Sequence, residues 1–84
     1  MSLVHQVQEQ IRRYLAEDIS LHELRLWLFM PENVQAIAAS PDQTVHDLTD
    51  RVLLLVSELD YGHRDEAEVR KFLTASLASR AMAS

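Results

Sequence analysis

Eighty-four residues make one domain, long enough to bury roughly 60–65% of its unfolded surface in a modest core. The chain has no cysteine, which excludes disulfides and thiolate metal sites, and its single glycine and two prolines argue against an all-β fold, which needs many turn residues. Thirteen acidic against eight basic side chains, a net charge of −5, repel phosphate backbones on average and argue against nucleic-acid binding.

The first predicted helix covers residues 3–16, with Val4, Val7, Ile11, Tyr14 and Leu15 on one face at helical spacing. Glu9 can pair with Arg12 or Arg13 on the outer face, an interaction worth only tenths of a kcal/mol. A second helix is predicted over 20–29. Ser20 and Glu23 have capping-box spacing, and Ile19 with Leu24 matches a hydrophobic staple. Leu21, Leu24, Trp27 and Leu28 face inward, and the helix stops at Met30 because the residue before a proline is pushed out of helical geometry.

Residues 31–39 read as a short third helix, with Pro31 at its first position, Glu32 in its first turn, and Val34, Ile37 and Ala38 on a thin apolar side; an ordered loop is the alternative. The fourth and longest helix is predicted over 41–61, with Ser40 as cap, Pro41 at the first position and Gln43 closing a capping box. Its 21 residues span roughly 31 Å. Val45, Leu48, Val52, Leu55 and Leu59 form its seam, and Leu53, Leu54 and Val56 widen it, so the middle is expected to be buried nearly all round by other helices. Gly62 stands where a left-handed helix stop is wanted. The last helix is predicted over 65–79, with Asp65 and Glu68 at cap spacing and Val69, Phe72, Leu73, Ser76 and Leu77 inward. The expected fold is all-α, a compact four- to five-helix bundle or orthogonal helical array around the central helix.

Little in the chain carries chemistry. The four histidines, His5, His22, His46 and His63, form no H-x-x-x-H pair, and there is no Gly-rich phosphate loop or G-x-S-x-G. Asp42, His46 and Asp50 share one stripe of the central helix and have the donor types for a divalent ion, but the stripe opposes the apolar seam and reads as a solvated face. Glu23 beside His22 is accounted for by its capping role, as are Ser20 and Ser40. The chain is therefore read as non-enzymatic, with no catalytic residue, metal site or cofactor.

Two places suggest recognition of another protein. Trp27-Leu28-Phe29-Met30 cannot all face one side of a helix, so Phe29 and Met30 form an apolar edge unless the third helix folds over them. The polar joint Tyr61 to Asp65 carries Tyr61, His63 and Arg64, and Tyr and Arg are common at interface hot spots, although a helix terminus with a glycine cap and a following N-cap is the simpler explanation. No apolar run approaches the roughly 20 residues of a membrane span, and the N-terminus lacks a basic region followed by an apolar run. The expectation is a cytoplasmic protein with no membrane attachment.

Tyr14-Leu15, Ile19-Ser20-Leu21, Glu23-Leu24 and Trp27-Leu28, with Leu48, Val52, Leu54, Glu58 and Gly62-His63, make the pattern YL-x-x-x-ISL-x-EL-x-x-WL…L-x-x-x-V-x-L-x-x-x-E-x-x-x-GH. It resembles a group of short, uncharacterised bacterial all-helical proteins over residues 11 to 77. The resemblance implies a stand-alone bacterial protein of the same helical shape and transfers no catalytic residue. The YL-x-x-x-IS-x-x-E portion is also similar to small colicin-type immunity proteins. Function is thus expected to be protein–protein interaction, with a basic partner such as a toxin favoured by the acidic balance. The alternatives are a homodimer closed by the apolar edge, a transcription regulator, and a metal-binding protein.

Overall fold

The computed structural model describes residues 2–83, with side chains over residues 2–78. Helix α1 spans Leu3–Leu15, and the Ser2 hydroxyl at its N-cap accepts from the His5 N–H at 3.4 Å. Val7, Ile11 and Tyr14 point inward and are buried. The helix ends in a Schellman turn: the Glu17 N–H donates to the Tyr14 carbonyl at 3.0 Å and the Asp18 N–H to the Arg13 carbonyl at 2.8 Å. The left-handed position of that turn, usually glycine, is held by Glu17 with φ of 66°.

Helix α2 spans Leu21–Phe29 and begins with the expected capping box. The Ser20 hydroxyl accepts from the Glu23 N–H at 3.1 Å, and the Glu23 carboxylate accepts from the Ser20 N–H at 3.3 Å. Leu24 and Leu28 are buried, with Leu21 and Trp27 packed beside them. Met30 adopts φ −60° and ψ 134°, the extended geometry Pro31 imposes, and separates α2 from α3, Pro31–Ala39. The third segment is therefore a helix and not a loop. The Asn33 side chain fastens it by donating to the Trp27 carbonyl at 2.7 Å. Of its expected apolar side only Ile37 is buried; Val34 and Ala38 are exposed.

Helix α4, Gln43–Asp60, starts two residues later than expected, and its cap is Asp42, not Ser40. Ser40 precedes Pro41, is held extended at ψ 132°, and closes α3 by donating its N–H to the Ile37 carbonyl. Its hydroxyl accepts from the Asp42 N–H, and the Asp42 carboxylate accepts from the Thr44 N–H at 2.9 Å. Gln43 turns away to donate to Asp47, so the Ser40–Gln43 capping box does not form. Gly62 takes φ of 75° as expected, and a second Schellman turn closes with the His63 N–H on the Glu58 carbonyl at 2.9 Å.

Helix α4 touches all four other helices. Val45, Leu48, Val52, Leu55 and Val56 are buried, with Leu59 partly so. The expectation of burial nearly all round is too broad, because Leu54 faces solvent and Leu53 is half-buried. Successive residues turn by about 100°, so a run of five apolar positions sweeps past the covered sector. Helix α5 spans Glu66–Ala83, beyond the expected end at residue 79, and the Asp65 carboxylate accepts from the Glu68 N–H at 2.9 Å. Val69 and Leu73 are buried, whereas Phe72, expected inward, is partly exposed. The radius of gyration, 12.3 Å, is close to the roughly 12 Å of a packed chain this long. There is no strand among the described residues, and no helix there is long and apolar enough to cross a membrane.

Candidate interaction surface

Helix α2 is short and apolar on more than one side, and this creates the surface. Leu24 and Leu28 occupy its inner stripe. Leu26, Phe29 and Met30 stand three and four residues apart on the opposite side, and they are 52%, 55% and 42% exposed; Val34, one turn into α3, is 44% exposed. The Trp27–Met30 run therefore divides: Trp27 packs against the core and Phe29 and Met30 face outward. Helix α3 fastens to the end of α2 without covering them. Leu26 adds to this edge, a residue the sequence reading did not single out, although its position opposite Leu24 and Leu28 was the available signal.

A shallow groove of about 360 Å³ runs along the edge between α1 and α2. It is lined by Leu26 and Trp27 from α2, Met30 just after it, Gln10 and Arg13 from α1, and Ile19 and Glu23. Arg13 makes no ion pair among the described residues.

The second predicted place, the α4–α5 joint, divides as well. Tyr61 and His63 are exposed, with ring centroids 6.5 Å apart and planes tilted by 45°. Arg64 is spoken for by its own chain: Nε lies 2.7 Å from the Glu58 carboxylate, a terminal nitrogen 3.3 Å from Glu68, and the guanidinium 4.6 Å from the Phe72 ring centroid. It clamps the joint and is not presented to a partner.

Asp42, His46 and Asp50 do not act together. Asp42 caps α4, the His46 Nε2 bonds to the Ser40 carbonyl at 2.8 Å, and Asp50 is exposed. Among the described residues no three His, Asp or Glu side chains are grouped to hold a metal ion. His22 lies against Arg25, which bridges to Asp60 at 3.3 Å, and Glu23 serves its cap.

The sequence reading missed a polar cleft of about 390 Å³ where the α1–α2 joint meets the start of α5. Tyr14 lies beneath it, fully buried, with the Arg70 guanidinium 4.6 Å from its ring centroid. Arg70 also approaches the Tyr14 and Leu15 carbonyls at 3.4 and 3.5 Å. Burial, then the nearby Glu66 carboxylate, push the Tyr14 phenol pKa up, while Arg70 opposes them. Tyr14 and Arg70 are 56 residues apart, and no local pattern announces their meeting.

Comparison of the chain with protein-family models, curated proteins and solved structures finds no match to any of them.

Proposed function

We propose that this chain is a small non-enzymatic cytoplasmic module that binds another protein through the Leu26–Phe29–Met30 edge. The carrying observation is the exposure of these three apolar side chains, continued by Val34, on a face left open among the described residues. Contiguous exposed apolar surface is costly to leave in water and marks interaction sites. Tyr61 and His63 supply a second exposed aromatic spot. The net charge of −5 favours a basic partner through steering and charge complementarity. An immunity protein or antitoxin blocking a basic toxin is one concrete form, in keeping with the immunity-like pattern around Tyr14 to Glu23.

A homodimer through the same edge is the second reading. An isologous two-fold contact would bury the exposed Leu26, Phe29 and Met30 of both copies against each other. Phe29→Glu separates both readings from a surface with no role. The change leaves the core intact and is expected to lower capture of a basic partner more than about tenfold. Mass in solution distinguishes the two: concentration-dependent doubling, lost in Phe29→Glu, supports the homodimer. A monomer that captures the same partner with and without Phe29→Glu would remove the edge from the proposal.

A further inference from the structure

The shallow groove between α1 and α2 carries a charge with no counter-ion. Arg13 lines it, is exposed, and makes no side-chain hydrogen bond, ion pair or ring contact among the described residues. The guanidiniums of the other two recesses are engaged: Arg70 stands 3.6 Å from Glu66, and Arg25 3.3 Å from Asp60. The groove's one carboxylate, Glu23, accepts from the Ser20 N–H and serves the α2 cap. The rest of the lining is largely apolar, with Leu26 and Met30 both in the groove and on the exposed edge. The edge also selects the shape of what covers it. Among the described residues there is no strand, so no sheet edge presents unpaired backbone groups to an extended segment. It presents instead Leu26, Phe29 and Met30 at i, i+3 and i+4, the kind of row across which a second helix packs.

We infer that the groove seats an amphipathic helix of the protein partner, with a carboxylate at the margin of its apolar stripe paired to Arg13. The assignment rests on the interaction-module reading and specifies the segment that partner presents. Helix-in-groove docking places apolar anchors at i, i+3 or i+4, and i+7. Here the anchors lie against Leu26, Trp27 and Met30, and the planar fork of Arg13 takes the carboxylate. The net charge of −5 steers a basic protein from a distance, but the sign at contact is set locally. At physiological ionic strength charges more than about 8 Å away are largely screened, so Arg13 decides what stands next to it. The partner is therefore basic overall and acidic beside the stripe of its docking helix, a combination that net-charge attraction alone does not produce.

The test titrates the intact chain with two alanine-rich helical peptides of about 16 residues, each with leucines at i, i+3, i+4 and i+7. One carries glutamates flanking the leucine stripe, the other lysines at the same positions. Trp27 is the chain's single tryptophan and lines the groove, so its fluorescence reports occupancy, and amide NMR shifts map it. The glutamate peptide is expected to bind saturably, with shifts centred on Arg13, Leu26, Phe29 and Met30, and about fivefold tighter than the lysine peptide. Arg13→Gln erases that preference and Arg13→Glu reverses it. Arg13 is exposed and without an ion pair among the described residues, so both variants keep the fold. Tighter binding of the lysine peptide, a preference that survives Arg13→Glu, or binding by neither peptide would each overturn the assignment. Loss of partner capture in Phe29→Glu when neither peptide binds leaves the module reading standing and removes only the docked helix. Binding of the glutamate peptide with partner capture unaffected by Phe29→Glu does the reverse.

Discussion

Arg64 reaches back across the α4–α5 joint to Glu58, its Nε 2.7 Å from the carboxylate, with the two side chains only 22% and 24% exposed. The Gly62 turn brings them together, and Phe72 stacks beneath the same guanidinium. Arg64→Ala is expected to cost about 1–2 kcal/mol, since ion pair and cation–π contact are lost together and residual exposure screens both. Arg64→Lys should restore less than half, because an ammonium cannot fork and stack at once. Urea unfolding of the three proteins checks this; equal stabilities would show that the clamp holds nothing.

Glu17 occupies the left-handed position of the first Schellman turn, where a side chain is strained and glycine is not. Its contact with Arg70 is long, 3.9 Å, and Glu17 is itself well exposed, so little is lost with it. Glu17→Gly is expected to stabilise the fold by about 0.5–1 kcal/mol, partly offset by the freer unfolded chain. The midpoint of thermal unfolding should rise by roughly 2–8 °C. A fall would mean that the carboxylate matters more to the fold than the backbone strain.

Thr49 is buried in α4 and its hydroxyl has no hydrogen-bond partner. By contrast, the Thr74 hydroxyl donates to the Arg70 carbonyl one turn back at 2.8 Å. Thr49→Val keeps the shape and removes the orphan oxygen, so it should stabilise by about 1 kcal/mol. Thr49→Ser, which keeps the oxygen and deletes a methyl, should destabilise by about as much. The opposite order in a denaturation series would show that the hydroxyl is satisfied in solution.

Tyr14 yields a prediction in pH. Its phenol pKa is raised above 10.0, first by burial, while in the unfolded chain it titrates near its ordinary value. The folded state thus holds its proton more tightly than the unfolded one. That stability is fully present below pH 10 and is lost as pH rises through the folded pKa. Tyr14→Phe should match or exceed the parent near neutrality, and its advantage should grow as the pH rises past the unfolded value and towards the raised folded one. Tyr61 is exposed and present in both proteins, so the difference isolates Tyr14. Parallel stability curves would show that Tyr14 ionises in the folded chain as it does in the unfolded one.

The five helices were legible because their signals are local. The Ser20–Glu23 box, Gly62, the Asp65 cap and the Met30–Pro31 break each act within about one turn, and each stands where the spacing predicted it. The start of α4 was misread because two candidate caps, Ser40 and Asp42, flank Pro41, and the proline's hold on Ser40 decided between them. Glu17 was overlooked because a left-handed glutamate has no compositional flag.

What the sequence determined by itself is the all-α character, the approximate ends of the helices and the seam of α4, since backbone capping and 3.6-residue periodicity are properties of short segments. Only the tertiary structure decided which apolar residues stay outside: Phe72 beneath Arg64, Leu54 away from the seam, and Leu26, Phe29 and Met30 along one edge. It alone brought Arg70 over Tyr14 and turned Arg64 inward. The physical reason is that a helix fixes the direction of each side chain about its own axis, whereas burial depends on which sectors its neighbours cover, and that is settled only when the helices dock.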